Sequence, residues 1–303
     1  MRFGLCCLFL NELVTFRTTT AKALSALDRD EQLGKLSGIC RDNVRNLLLA
    51  LETVQRLGIN AFRIMSPLFP RMTHPVVGYR LEDLPDGASI QLLLEKVRQF
   101  ALHNDIRLSF HPDQFVVLSS PHPAVVRNSV RELEYQAQLA EAIGADVINI
   151  HAGGVYSDKR VALQRLCEVF TDLPDSVKVR LTLENDDTSY TVRDLLPVCE
   201  RLSIPLVYDV HHHRCNPDGL SVEEATRMAS ETWGGVGREP YCHISSPRGG
   251  WDGGNPRPHA DYIDPADVPA CWRGLEMTVD VEAKAKELAV VRLMEDLDKG
   301  AEL

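Results

Sequence analysis

The chain has 303 residues, 44% of them hydrophobic and 25% charged, with a formal net charge of −10. Such a chain can bury a large core, and no run reaches the roughly 18 apolar residues that a membrane span requires. The acidic balance counts against a broad nucleic-acid-binding surface, because that affinity comes from Lys and Arg neutralising phosphates. It leaves room for a local arginine patch, or for bound cations that reverse the field over one face.

Met1 to Leu10 carries a single basic residue and a short apolar run, but Asn11-Glu-Leu13 follows where a signal peptide would place small residues. A first buried strand over Arg2–Leu10 is therefore expected. Further β-branched or apolar runs predict strands at Ala61–Met65, Arg107–His111, Val147–His151, Lys178–Glu184, Pro205–Val210, Tyr241–Ser245 and Gly274–Val281, giving eight in all. Between them, apolar residues recur at helical spacing over Asn43–Arg56, Ala124–Ile143, Val161–Phe170, Val192–Leu202, Val222–Ala229 and Ala283–Leu297. Gly58 and Gly144 follow two of these stretches where a C-capping glycine belongs.

No low-complexity tract, linker or internal repeat interrupts the pattern. Eight cysteines, at positions 6, 7, 40, 167, 199, 215, 242 and 271, include no C-x-x-C pair, so free thiols in a reducing cytoplasm are expected. Eight strands alternating with helices predict one (β/α)8 barrel domain over residues 1–303. An open doubly wound sheet would want a glycine-rich first turn, which Gly4-Leu-Cys-Cys7 is not.

Active groups in such barrels gather at the C-terminal strand ends. Here those ends carry His111, His151, Glu184, Asp209 (followed by His211-His-His213), His243, and Asp280 with Glu282. A lone His after a strand is commonly a hydrogen-bonded loop residue. Six ligand-type ends out of eight are another matter, since uncompensated carboxylates gathered at one barrel mouth would be costly to bury. A divalent-metal site is expected, and imidazole with carboxylate suits Mn, Zn or Fe. Such a site can activate water for displacement at phosphorus or hold a sugar's hydroxyls for isomerisation, and the fold alone does not separate the two.

The same strand ends read Ser109-Phe-His-Pro-Asp-Gln-Phe115, Asn149-Ile-His-Ala-Gly-Gly-Val-Tyr156, Leu183-Glu-Asn-Asp-Asp187, Asp209-Val-His-His212, His243-Ile-Ser-Ser-Pro247, His259-Ala-Asp-Tyr262 and Glu282-Ala-Lys284. With Phe62-Arg63, Thr73-His-Pro75 and Arg292-Leu-Met-Glu-Asp-Leu297, this ordered set resembles the UV damage endonucleases, relatives of endonuclease IV, from about Arg2 to Leu297. The resemblance implies an ATP-independent endonuclease that nicks damaged double-stranded DNA immediately 5′ to a UV photoproduct. It also implies a monomer in the cytoplasm with two or three divalent ions, manganese first, with zinc or magnesium as alternatives.

By match, one ion would take His111, His151 and Glu184, a second Glu184, Asp209, His243 and Glu282, and a third His212 and His259. Glu184 and His74 match catalytic-site positions, although His74 also reads as the cap of a turn before Pro75. Gln114 and Phe115 match a pair that relatives push into the duplex. Arg63, Arg71, Arg80, Arg160, Arg248 and Arg257 lie in or near the loops that would meet phosphates.

The chain departs from its relatives at three places. Tyr241 stands where they commonly carry Lys, Arg257 where endonuclease IV relatives carry Asp, and Phe115 where they carry Tyr. With fewer ligands left for it, the third ion is expected to be weak. The alternatives at this stage are an abasic-site endonuclease of the endonuclease IV type, and a sugar isomerase or epimerase on the same barrel.

Overall fold

In the computed structural model, which describes residues 1–301, the apolar runs become short parallel strands: β1 (Arg2–Cys6), β2 (Ala61–Ile64), β3 (Arg107–Phe110), β4 (Val147–His151), β5 (Leu181–Glu184), β6 (Leu206–Asp209), β7 (Tyr241–Ile244) and β8 (Thr278–Val281). Neighbours pair in chain order, and β8 returns to β1 through Arg2↔Thr278, closing a (β/α)8 barrel. Nearly every strand residue is buried, as expected of strands covered on one side by helices and on the other by the barrel interior.

The helices are α1 (Ala21–Ser25), α2 (Arg29–Arg56), α3 (Gly87–His103), α4 (Pro123–Ile143), α5 (Lys159–Thr171), α6 (Asp175–Lys178), α7 (Val192–Leu202), α8 (Val210–Cys215), α9 (Val222–Glu231) and α10 (Glu287–Ala301). Their starts are chemically marked. Asp28 with Glu31, Thr191 with Asp194, and Ser221 with Glu224 form reciprocal capping boxes on α2, α7 and α9. Gly58 and Gly144 take the expected left-handed conformation, at φ 74° and 79°.

Several boundaries differ from the sequence reading. The first strand stops at Cys6 because Cys7 turns the chain at φ 64°. Lys178 belongs to α6 rather than to a strand, and Gly274, at φ 79°, lies before β8 begins. Helix α2 starts well ahead of Asn43, while α1, α3, α6 and α8 have no counterpart in the sequence reading. All eight cysteines are free thiols. Among the described residues, no helix is long and apolar enough to cross a membrane.

Candidate metal centre and nucleic-acid interface

Parallel pairing sets His151 beside Glu184 across β4 and β5, and Asp209 beside His243 across β6 and β7. His111 follows β3 directly and Glu282 follows β8. Barrel closure then does what no single segment does and points these groups at one another. Glu184 Oε2 lies 3.0 Å from His111 Nε2 and 4.0 Å from His151 Nε2, and Oε1 lies 3.1 Å from His243 Nδ1 and 3.3 Å from His212 Nδ1. His243 Nδ1 is also 3.6 Å from Glu282 Oε1 and 4.0 Å from Asp209 Oδ2.

Two three-residue sets, His111/His151/Glu184 and Glu184/Asp209/His243, bring their ligand atoms within 4.8 Å of one another. Glu184 is common to both, and its side chain is only 1% exposed. Glu184 Oε1, Asp209 Oδ2, His151 Nδ1 and His243 Nδ1 are all buried without a hydrogen-bond partner of acceptable geometry. Buried polar atoms are normally satisfied, so a set of orphans converging on one mouth fits divalent cations that would complete them.

The electrostatics agree. Burial opposes charge on Glu184, yet His243 and His151, with hydrogen bonds from His111 and His212, hold its carboxyl well below the usual carboxylate range. Burial likewise works against charged imidazole at His212 and His243, but Asp209 and Glu184 raise His212 well above its ordinary value and Glu184 raises His243. At His111 burial prevails and the ring is pushed down. The site thus concentrates negative charge that draws positive charge into it.

His212 and His259 are less closely assembled. His212 Nδ1 lies 3.0 Å from the Asn185 carbonyl, His259 Nδ1 lies 3.7 Å from Glu282 Oε2, and their rings are 6.4 Å apart. Two anchors of the cluster went unassigned in the sequence. Asn149 donates to Glu184 Oε2 while accepting from Thr182, and Asn185 exchanges hydrogen bonds with the backbone of Asp209 at 2.8 and 3.0 Å. Each neighbours a ligand-type residue in a quoted motif, but an amide's partner is visible only once strands are in register.

The structure corrects the reading of Arg63 as a phosphate contact. Arg63 is buried beneath the cluster, with Nε 2.9 Å from Asp280 Oδ2, Nη1 2.6 Å from Glu282 Oε1 and Nη2 3.0 Å from His243 Nε2. Tyr241 completes this layer by donating to Asp280 Oδ1 at 2.9 Å, and Gly4 makes room for it, since a Cβ there would lie 2.0 Å from that same oxygen. His74 also stands apart from the cluster. Its Nδ1 accepts from the Val76 and Val77 amides at 3.2 and 3.3 Å, which is the turn-capping role. Gln114 is exposed in the loop after β3, and beside it Phe115 is 75% exposed at the barrel mouth. Arg257 is half exposed and lies 3.6 Å from Asp187, turned to the surface. Arg71, Arg80, Arg160 and Arg248 are exposed.

Comparison with known proteins agrees with this geometry. The family model described as UV-endonuclease UvdE matches residues 1–303. A UV DNA damage endonuclease of Bacillus velezensis is 35% identical over 296 residues, covering 93% of this chain and 88% of that protein. One from Bacillus pumilus is 34% identical over 301 residues, covering 95% and 92%. The crystal structure of SacUVDE superposes with a TM-score of 0.86 at 29% identity over 100% of both chains. Endonuclease IV from Thermus thermophilus shares the fold, with a TM-score of 0.61 at 14% identity over 99% of this chain and 100% of that one. The chain belongs to the UV-endonuclease UvdE family of DNA repair endonucleases.

Proposed function

We propose that the protein is a metal-dependent hydrolase that, without ATP, nicks duplex DNA immediately 5′ to UV photoproducts, acting as a monomer with residues 1–303 as one domain. The last two residues of that span lie outside the described ones. The observation that carries this reading is the convergence of orphaned, buried ligand atoms on Glu184 at the same barrel mouth that exposes Phe115. A sugar isomerase gives no reason for that exposed ring.

In this reading His111, His151 and Glu184 would hold one ion, and Glu184, Asp209, His243 and Glu282 a second. His212 and His259 form a weaker third position. Divalent ions there, manganese first, supply Lewis acidity for activating water and neutralising the leaving oxygen. Glu184 would be shared by the two tight positions, with Asn149 donating to its Oε2 and Asn185 holding the backbone of Asp209. Gln114 and Phe115 enter the duplex beside the lesion, where a planar ring replaces lost base stacking. Arg257 meets phosphate.

Irradiated, abasic and intact duplexes incubated with the protein and Mn²⁺, with the nick mapped, test the reading. Cleavage 5′ to photoproducts is expected, and preference for abasic sites would replace it with the endonuclease IV activity. Elemental analysis after dialysis should retain two equivalents, and three retained at mildly acid pH would mean a further ligand.

A further inference from the structure

The loop between β7 and β8 carries a second aromatic side chain that the cluster does not use. Of the three tryptophans in the chain, Trp233 and Trp272 are buried at 3% and 0% exposure, whereas Trp251 is 38% exposed. Trp251 sits at the tip of a tight turn flanked by Gly249, Gly250, Gly253 and Gly254. The turn is tight at Gly253, where a Cβ would lie 2.3 Å from the Gly249 carbonyl oxygen, and Gly250 takes φ 73°, which disfavours a side chain there.

The ring is nevertheless pinned. Its indole N–H donates to the buried Asp267 Oδ1 at 2.7 Å, the Arg214 guanidinium lies 5.5 Å from the ring centroid, and the His211 ring packs 5.4 Å away. His211 in turn stacks edge-on against His259 at 5.1 Å, which places Trp251 one ring removed from the candidate metal ligands.

The geometry points to Trp251 as a stacking platform for a nucleobase of the DNA strand that crosses the barrel mouth, on the side opposite Phe115. The inference rests on the endonuclease reading above. In a barrel whose strands run in chain order, the loops after β3 and β7 are four strands apart and face each other across the mouth, with the cluster between them. The indole donor is spent on Asp267, so what Trp251 offers is a π face, which any base satisfies. Pinning from below removes the rotamer entropy that binding would otherwise cost. Arg248 and Arg257, exposed on the same loop, supply the phosphate contacts that such a platform needs.

All three tryptophans emit, but only Trp251 is exposed enough to touch a bound base, so the emission change on binding that is lost in Trp251→Phe reports on Trp251. A fluorescein-labelled, irradiated duplex with uncleavable phosphorothioate linkages is titrated with wild type, Trp251→Phe and Trp251→Ala, following anisotropy and tryptophan emission. Wild-type emission is expected to be quenched on binding. Trp251→Ala should bind about tenfold more weakly, the loss of roughly one base stack. Trp251→Phe should retain most of the affinity without the quenching, and all three should carry the same metal content.

Binding by wild type with unchanged emission, and unchanged affinity in Trp251→Ala, would overturn the contact alone. No anisotropy change with wild type would overturn the endonuclease reading and this inference with it. An equal loss in Trp251→Phe and Trp251→Ala would overturn stacking, because the phenyl ring keeps a π face.

Discussion

At the scale of single residues the site turns on Glu184, around which the rings of His111, His151, His212 and His243 are arranged. Glu184→Gln keeps the volume and removes the charge. Loss of at least one bound ion and near-complete loss of nicking are expected with the fold retained, as checked by elemental analysis, a nicking assay and circular dichroism. Full metal content in that variant would remove Glu184 from the ligand set. Arg63 makes a different kind of contribution. Its planar fork serves Asp280, Glu282 and His243 at once, a geometry that an ammonium cannot copy. Arg63→Met strands two carboxylates in the barrel interior and should cost about 3–5 kcal/mol in urea unfolding of the metal-free protein. Arg63→Lys should recover only part of that, and a neutral result for Met would mean that the carboxylates find other partners.

At the scale of elements, the loop after β3 holds exposed side chains apart from the cluster, and in the proposed reading these meet the lesion. Gln114 and Phe115 are exposed and take no part in the cluster, so replacing both with Ala should leave thermal stability and metal content unchanged. Affinity for damaged duplex should fall by roughly 1–3 kcal/mol per lost stacking contact. Equal losses on damaged and intact DNA would show that the pair does not read lesions. The strands themselves were legible in the sequence because buried parallel strands are near-continuous apolar runs, and the ligand-type residues were legible because they follow those runs. Helix α3 was missed although Ile90, Leu94, Val97 and Ala101 form its buried stripe. The sequence pattern of Arg63 gave no sign of its true place, because only the closed barrel decides whether a strand residue faces the interior. His74 is a residue for which the sequence offered two roles, and its Nδ1 takes up the turn-capping one by accepting from the Val76 and Val77 amides.

At the scale of the whole molecule the barrel has two charged ends of opposite design. At the C-terminal mouth Glu184 Oε1, Asp209 Oδ2, His151 Nδ1 and His243 Nδ1 are left unsatisfied. At the N-terminal end Glu239 is fully engaged, lying 3.0 Å from Arg2 Nε, 3.7 Å from Arg107 Nη1 and 2.8 Å from the Thr278 hydroxyl. Burial raises its carboxyl, but the Thr278 hydrogen bond and the Arg107 charge outweigh that and lower it from 4.5 to about 2. A depressed carboxyl favours the folded state above its unfolded value, and that advantage disappears as pH falls through its folded value. The stability gap between wild type and Glu239→Gln should therefore be full at neutral pH and shrink between about 4.5 and about 2. Denaturant titrations across that range measure it, and a gap independent of pH would mean that the charge of Glu239 contributes nothing.

The Arg63, Tyr241 and Asp280 layer closes the barrel directly beneath the cluster, with Arg107 buried further down. In the proposed reading, any ion bound above that floor would exchange with solvent only through the mouth. A duplex lying across the mouth would act as a stopper, so a chelator should strip metal from the free protein quickly and from the DNA-bound protein slowly. On that reading, any bound metals would be held most securely on damaged DNA and be most open to loss between encounters.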